Sequence, residues 1–323
     1  MLVTGADGFI GSHLTELLVA EGAAVRALSQ YNSFNNWGWL EDIGCLKQVE
    51  VIAGDIRDSH FCLDLTNGID VIFHLAALIA IPFSYKSPGS YIDTNVQGTA
   101  NICRAALSSG VSLIVHTSTS EVYGTAEYVP MDEKHPLKPQ SPYSATKIGA
   151  DAIALSFHHS FELPLRIARP FNSFGPRQSS RAVIPTIISQ IAAGATEVSL
   201  GDTTTTRDFT FVEDTCRGLL AVASLSGHRG EIFNIGTGSE ISIGALFETV
   251  NELMGGTAQI VQDVSRLRPA DSEVRRLWCD NRKINAATGF LPRVSLKDGL
   301  RRTIAWITDP SRLLHYKTTI YNV

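Results

Sequence analysis

Positive charge is scarce in this chain: Lys and Arg number 27 against 32 Asp and Glu, for a net charge of -5. No segment gathers them into a basic stripe, so a nucleic acid or an anionic membrane is not the expected partner. Long apolar runs are also missing. No stretch approaches the roughly 18 consecutive apolar residues of a membrane-spanning helix, although 44 % hydrophobic and 18 % charged residues suffice for a globular core. Cysteine is sparse and odd in number: Cys45, Cys62, Cys103, Cys216 and Cys279 are scattered and never spaced C-x-x-C. That pattern argues against a disulfide framework and a zinc site, so no metal is expected and a reducing cytoplasm fits. No secretory leader, internal repeat, low-complexity tract or linker is visible, and Met1 runs almost directly into a short first strand, from which a few residues are expected to be missing. The 323 residues suit one large or two interlocked domains.

What is present is an alternation of apolar runs and helical periodicities. Leu2 to Thr4 reads as a strand, followed by Gly5-Ala6-Asp7-Gly8-Phe9-Ile10-Gly11 and then Leu14, Leu17 and Leu18 at helical spacing. Strand, glycine turn and helix are the context of a dinucleotide-binding loop, where glycines admit a pyrophosphate and the helix start supplies N–H donors. The spacing is G-x-x-G-x-x-G, which also suits a tight turn without ligand. A second strand over 24–28 ends at Ser29, where such folds usually carry the acid that binds an adenosine ribose. Neither an Asp for NAD nor an Arg for NADP stands there, so the choice stays open. Residues 31–40 read as a loop leading to a short helix. A third strand over 49–53 ends in Asp55 and Ile56, with Asp55 placed either for an adenine or as a helix N-cap. A fourth, over 71–75, leads into Ala76 and Ala77, and its His74 reads as a packed strand histidine. A crossover helix over 93–107, a strand at 113–115 and another at 165–168 continue the series. The expected fold is therefore α/β, a Rossmann-type doubly wound parallel sheet with a smaller, interleaved C-terminal substrate lobe. Residues 1–171, with 205–236 returning to them, form the dinucleotide-binding domain; 172–204 and 237–323 form the lobe.

The chemistry gathers between Val111 and Lys147. A buried strand delivers Thr117, Ser118, Thr119, Ser120 and Glu121 at its carboxyl end, where ligands sit in an open parallel sheet. Ser141 then reads as an N-cap and Pro142 as the first turn of a helix carrying Tyr143 and Lys147 on one face. A tyrosine with a pKa of about 10 is a poor base, and a neighbouring ammonium favours its phenolate. Tyr143 could then exchange a proton with a substrate hydroxyl held by Thr119, and Glu121 adds a carboxylate. An ordinary helix surface carries the same Tyr/Lys spacing, so the pair is weak by itself.

Taken jointly, TGADGFIGSH, HLAA at 74–77, YSATK, RPFNSFGPRQ at 169–178 and RDFTFVEDT at 207–215 resemble the extended short-chain dehydrogenase/reductase family acting on nucleotide sugars. Thr119-Ser120-Glu121 ahead of Val-Tyr-Gly is similar to the 4,6-dehydratases, whereas sugar epimerases carry a small or hydroxyl residue in place of Glu121. YNSFNNWGWL, HLAALIAIPFSY, HTSTSEVYGTA and RLRPADSEVRRLW are similar to GlcNAc-nucleotide dehydratases of the legionaminic-acid type and their antibiotic-pathway relatives.

The resemblance implies a hydro-lyase of the cytoplasm, a homodimer, and NAD as cofactor with NADP left open. It places the cofactor on Gly5, Asp7, Gly8, Phe9, Ile10 and Gly11, on Ser29, Asp55 and Ile56, and on Leu75, Ala76 and Ala77. Thr94, Thr117, Tyr143, Lys147, Pro170 and Asn172 complete that set. It places the nucleotide sugar, UDP- or GDP-linked, on Ile79, Ala80, Thr119, Glu121, Asn172, Arg207 and Arg268, with Arg177 and Arg181 close by as a diphosphate clamp. Tyr143, sustained by Lys147, takes the O4 proton during C4 oxidation; Glu121 takes the C5 proton; the C6 hydroxyl leaves as water and the hydride returns. Many hexose dehydratases have an Asp where Ser120 stands, so Glu121 serves as both base and acid or Ser120 relays the proton. The rivals are a 4-epimerase on the same fold and a non-catalytic dinucleotide-binding regulator.

Overall fold

The computed structural model describes residues 1–318 and 321. Seven parallel strands form the central sheet: β1 (Leu2–Thr4), β2 (Val25–Gln30), β3 (Val49–Gly54), β4 (Val71–His74), β5 (Leu113–Thr117), β6 (Leu165–Pro170) and β7 (Ile232–Ile235). Their spatial order is β7-β6-β5-β4-β1-β2-β3. The order reverses between β1 and β4, and at such a switch point the carboxyl ends of the two strands leave a crevice. Strands β1, β5 and β6 are buried throughout, while edge strand β3 is only partly so, as a sheet covered on both faces requires.

One face is covered by helices α1 (Phe9–Ala20) and α5 (Val212–Ala223), through Leu14, Leu18, Cys216 and Leu219. The other carries α2 (Ser59–Thr66), α3 (Gly98–Ser108) and α4 (Pro142–Phe161), through Cys62, Leu65, Ile102, Ala105 and Ala154. The start of α4 follows its sequence signals. Ser141 Oγ accepts from the Ser144 amide, Ser144 Oγ accepts from the Ser141 amide, and Pro142 occupies the first turn.

Beyond Phe171 the chain builds three two-stranded sheets outside the central one. Asn172–Phe174 pairs with Phe209–Phe211, Thr206–Arg207 with Ile241–Ser242, and Glu197–Leu200 with Gln259–Gln262. The return to the central sheet is made by α5 and by β7, which lies parallel to β6.

The turn after β1 shows what its glycines are for. Gly5 adopts φ 67°, and a Cβ on it would lie 2.9 Å from the Ala76 backbone nitrogen, so the turns after β1 and β4 touch. A Cβ on Gly11 would stand 2.1 Å from the Gly5 carbonyl, which lets α1 begin against the turn. Thr4 ties the same two turns together: its Oγ1 accepts from the amides of Leu75 and Ala76, both at 3.1 Å.

Candidate active site

A cleft of about 600 Å³ runs along the carboxyl ends of β1, β4 and β5 and is closed by segments beyond Phe171. At one end lie the glycine turn, Gln30, Asp55 and Ile56. In the middle lie Leu75, Ala76, Ala77, Thr94 and Thr117. At the other end Thr119, Ser120, Glu121, Tyr143 and Lys147 meet Ile79, Ala80, Pro170, Asn172, Arg181 and Arg268. The segments that sequence spacing left far apart thus share one wall.

Three expected residues sit elsewhere. Ser29 is fully buried, and its Oγ donates to Asp7 Oδ2 at 3.4 Å. Arg177 donates to Glu16 Oε2 at 2.6 Å and to Ser12 Oγ at 3.4 Å, fastening its loop to α1 rather than facing the cleft. Arg207 is buried behind the wall and reaches Glu273 at 3.3 Å, the carboxylate that also meets Arg268 at 3.5 Å. Of the four guanidiniums, Arg181 and Arg268 line the cleft. Asp55 is not the N-cap of α2. That role belongs to Asp58, which accepts from His60 and Phe61, while Asp55 takes the Arg57 guanidinium at 2.9 and 3.0 Å.

Thr94 reaches the wall from an irregular stretch. Ile92–Gln97 is a π-helix leading into α3, a widened turn common at functional sites. It also aims Asn95 at the loop after β4: Asn95 Oδ1 accepts from the Leu78 amide at 2.8 Å, and Nδ2 donates to the Leu78 carbonyl at 2.9 Å. His74 is a packed strand histidine, as its setting in β4 suggests. Nδ1 pairs with Thr4 Oγ1 at 2.8 Å and Nε2 with Thr99 Oγ1 at 3.1 Å, and burial holds its pKa well below the ordinary value. It is a neutral brace.

Glu121 follows Thr119 in a 3-10 turn over Ser120–Tyr123, with the Glu121 amide donating to Thr119 Oγ1 at 3.2 Å. Among the described residues no hydrogen bond or ion pair engages its carboxylate, so the group is available to the cleft. Tyr143 is 7 % exposed, its ring edge-on to Tyr91 at 6.3 Å. Burial pushes its phenol above the usual range; the Thr119 hydroxyl pulls the other way, and the charges of Glu121 and Asp151 add to the rise. Lys147 Nζ donates to the Thr117 carbonyl at 2.8 Å, and burial lowers its own pKa to about 8. Desolvation opposes charge on either group.

Behind Lys147 lies a charged network that the sequence reading missed. Asp151, one turn further along α4, accepts from Ser118 Oγ at 2.7 Å and from Arg169 Nη2 at 2.9 Å, and His116 Nε2 stands 3.2 Å from its other oxygen. Arg169 also donates to the Tyr123 hydroxyl at 3.0 Å. The positions 143, 147 and 151, spaced by four on one helix, were the available signal. Burial alone would raise the Asp151 carboxyl, but the close approach of His116 and the charges of Arg169 and Lys147 outweigh it and hold it at about 2. The folded pKa is depressed, so its stabilisation is fully present above the ordinary carboxylate pKa of about 4 and is lost as pH falls toward 2. The unfolding free energies of the wild-type protein and Asp151→Asn from urea melts should therefore lie about 2 kcal/mol further apart near pH 5 than near pH 2. A constant gap across that range would contradict the assignment.

The wall fits a dinucleotide. The glycine turn and the start of α1 supply the cradle for a diphosphate. Thr117 Oγ1 and Asn172 Oδ1, both on cleft-lining residues, are buried without partners, and each such atom is costly unless a ligand meets it.

Parallel sheet, glycine turn, and a buried tyrosine and lysine one helical turn apart beside a dinucleotide-shaped cleft define an extended short-chain dehydrogenase/reductase. The model of the GDP-mannose 4,6 dehydratase family matches residues 2–303, and the chain belongs to that family. A dTDP-glucose 4,6-dehydratase of Actinoplanes sp. is 33 % identical, over 95 % of this chain and 97 % of the relative. A UDP-glucose 4-epimerase of Mycolicibacterium smegmatis is also 33 % identical, over 96 % and 99 %. Among solved structures, a dTDP-glucose 4,6-dehydratase from Streptomyces venezuelae with NAD bound superposes with a TM-score of 0.86 at 33 % identity, covering 96 % of this chain and 97 % of that one.

Proposed function

We propose that the chain is an NAD-dependent nucleotide-sugar 4,6-dehydratase, a hydro-lyase, whose substrate is UDP- or GDP-N-acetylglucosamine. The observation that carries the elimination is Glu121, a carboxylate on the same wall as Thr119 and Tyr143 that no hydrogen bond engages among the described residues, with the charge of Arg207 nearby. Epimerisation at C4 has no use for a base at C5, whereas loss of water across C5 and C6 requires one. The glycine turn, Leu75, Ala76, Ala77 and Thr117 would hold NAD, which when bound would supply reversible hydride acceptance beside the sugar. Thr119 orients the O4 hydroxyl toward Tyr143, which takes its proton as a phenolate sustained by Lys147, and Lys147 Nζ also donates to the Thr117 carbonyl. Burial opposes a lone phenolate, so the base form of Tyr143 depends on the positive charge that Lys147 brings to the cleft. Glu121 then removes the C5 proton acidified by the 4-keto group and gives it, directly or through Ser120, to the C6 hydroxyl, which departs as water. A proton drawn from solvent through Glu121 returns to C5 as the hydride returns to C6. Asn172, Arg181 and Arg268 hold the nucleotide diphosphate, with Arg207 supporting Arg268 through Glu273.

The choice of N-acetylglucosamine rests on the resemblance of the 31–40, 74–85, 116–126 and 266–278 segments, and on Ser120 standing where many hexose dehydratases carry an acid. Purified enzyme incubated separately with UDP-N-acetylglucosamine, GDP-N-acetylglucosamine and dTDP-glucose, followed by mass spectrometry, tests both levels. Loss of one water from either amino sugar is expected. Unchanged mass with a new sugar configuration would establish the epimerase instead, and water loss from dTDP-glucose alone would overturn the substrate. The homodimer and the cytoplasmic location stay part of this proposal.

A further inference from the structure

Strand β2 ends Ser29-Gln30, without the carboxylate that in such folds ordinarily meets the adenosine ribose of NAD. A carboxylate reaches the same place from another segment. Asp7, in the glycine turn, directs its side chain to the end of β2, where Oδ2 accepts from the Gln30 amide at 3.0 Å and from Ser29 Oγ at 3.4 Å. Ser29 is fully buried, so its hydroxyl supports Asp7 rather than a ligand. Asp7 and Gln30 line the cleft, and the Ser29 and Gln30 bonds both fall on Oδ2, so that among the described residues no other residue donates to Asp7 Oδ1. The backbone of Asp7 is fixed as well. Its carbonyl accepts from the Trp39 amide at 3.0 Å, and Gly38, with φ 54°, packs so closely that a Cβ there would lie 2.7 Å from that oxygen.

Charge around the cleft sharpens the point. The cationic residues on its wall are Lys147, Arg181 and Arg268, all at the end where Tyr143 and Asn172 lie. At the β2 and β3 end the wall offers Asp7 and Asp55, and the neighbouring Arg57 is already held by Asp55 at 2.9 and 3.0 Å. A ribose hydroxyl can donate to a carboxylate there, whereas a 2′-phosphate would meet negative charge with no free cation among the described residues lining that end.

We propose that Asp7 is the cofactor-specificity residue of this chain: its carboxylate accepts a hydrogen bond from the adenosine ribose and turns away a 2′-phosphate, so that the chain takes NAD and not NADP. The inference rests on the dinucleotide reading of the cleft. Direct binding by calorimetry to cofactor-stripped protein tests it, with NAD, NADP and 2′-deoxyadenosine NAD as probes and thermal melting as the control for folding. The wild-type protein should prefer NAD over both by at least about tenfold, the scale of one charge-assisted hydrogen bond. Asp7→Asn and Asp7→Ser should erase most of the preference over NADP. Equal losses for NAD and NADP in the variants would show that Asp7 only holds the turn, and would overturn the proposal. Should neither variant fold, equal wild-type affinity for NAD and its 2′-deoxy analogue overturns it just as well. Wild-type protein that binds neither NAD nor NADP would sink the underlying reading, an outcome distinct from NAD binding without discrimination.

Discussion

Tyr143→Phe should lower kcat by about a thousandfold while leaving the melting temperature nearly unchanged, the middle of the range for removing a positioned acid/base group. The ring is what the fold uses. It lies edge-on to Tyr91 and packs with Ile81 and Leu78, contacts that phenylalanine preserves. The hydroxyl is what the chemistry uses, beside Thr119 and in reach of a sugar in the cleft. Steady-state turnover and a melting curve on the same preparation separate the two. Activity unaffected by the loss of the hydroxyl would remove the mechanism, and absence of any turnover in the wild-type protein would revive a non-catalytic regulator on this fold.

Glu121→Gln carries the second large effect, a loss of water elimination of about a thousandfold or more, with oxidation at C4 retained. The substitution keeps the shape of the side chain and the 3-10 turn, whose bond to Thr119 is made by the backbone amide. It removes the capacity to accept a proton at C5. Exchange of the substrate's C5 hydrogen with deuterated water should vanish in this variant, and mass spectrometry should show no dehydrated product. Complete dehydration by Glu121→Gln would instead assign the base to another group, with buried Ser120 the nearest candidate by sequence.

Much of the site was legible because its determinants are local. The glycine turn is forced by backbone geometry that only glycine meets at Gly5 and Gly11, and the start of α4 by the Ser141 cap and Pro142. The strand ending at Thr117 announces itself as a buried apolar run. Arginines carry no such signal. Arg177 and Arg181 are four residues apart and read alike, yet one pairs with Glu16 on α1 and the other reaches the cleft. The Asp151 network was missed for the same reason: its partners, Ser118, His116 and Arg169, come from β5, β6 and the turn between sheet and site.

By itself, then, the amino-acid order determined the alternation of strands and helices, the glycine turn, and the presence of a tyrosine, a lysine and a carboxylic acid in adjoining segments. Those properties depend on neighbours a few residues away. Only the tertiary structure decided which guanidiniums line the cleft, that Tyr143 and Lys147 are both buried, and that the Asp7 carboxylate reaches the end of β2. Desolvation and charge pairing depend on what the whole chain brings within a few ångströms, and periodicity along the sequence does not encode those distances.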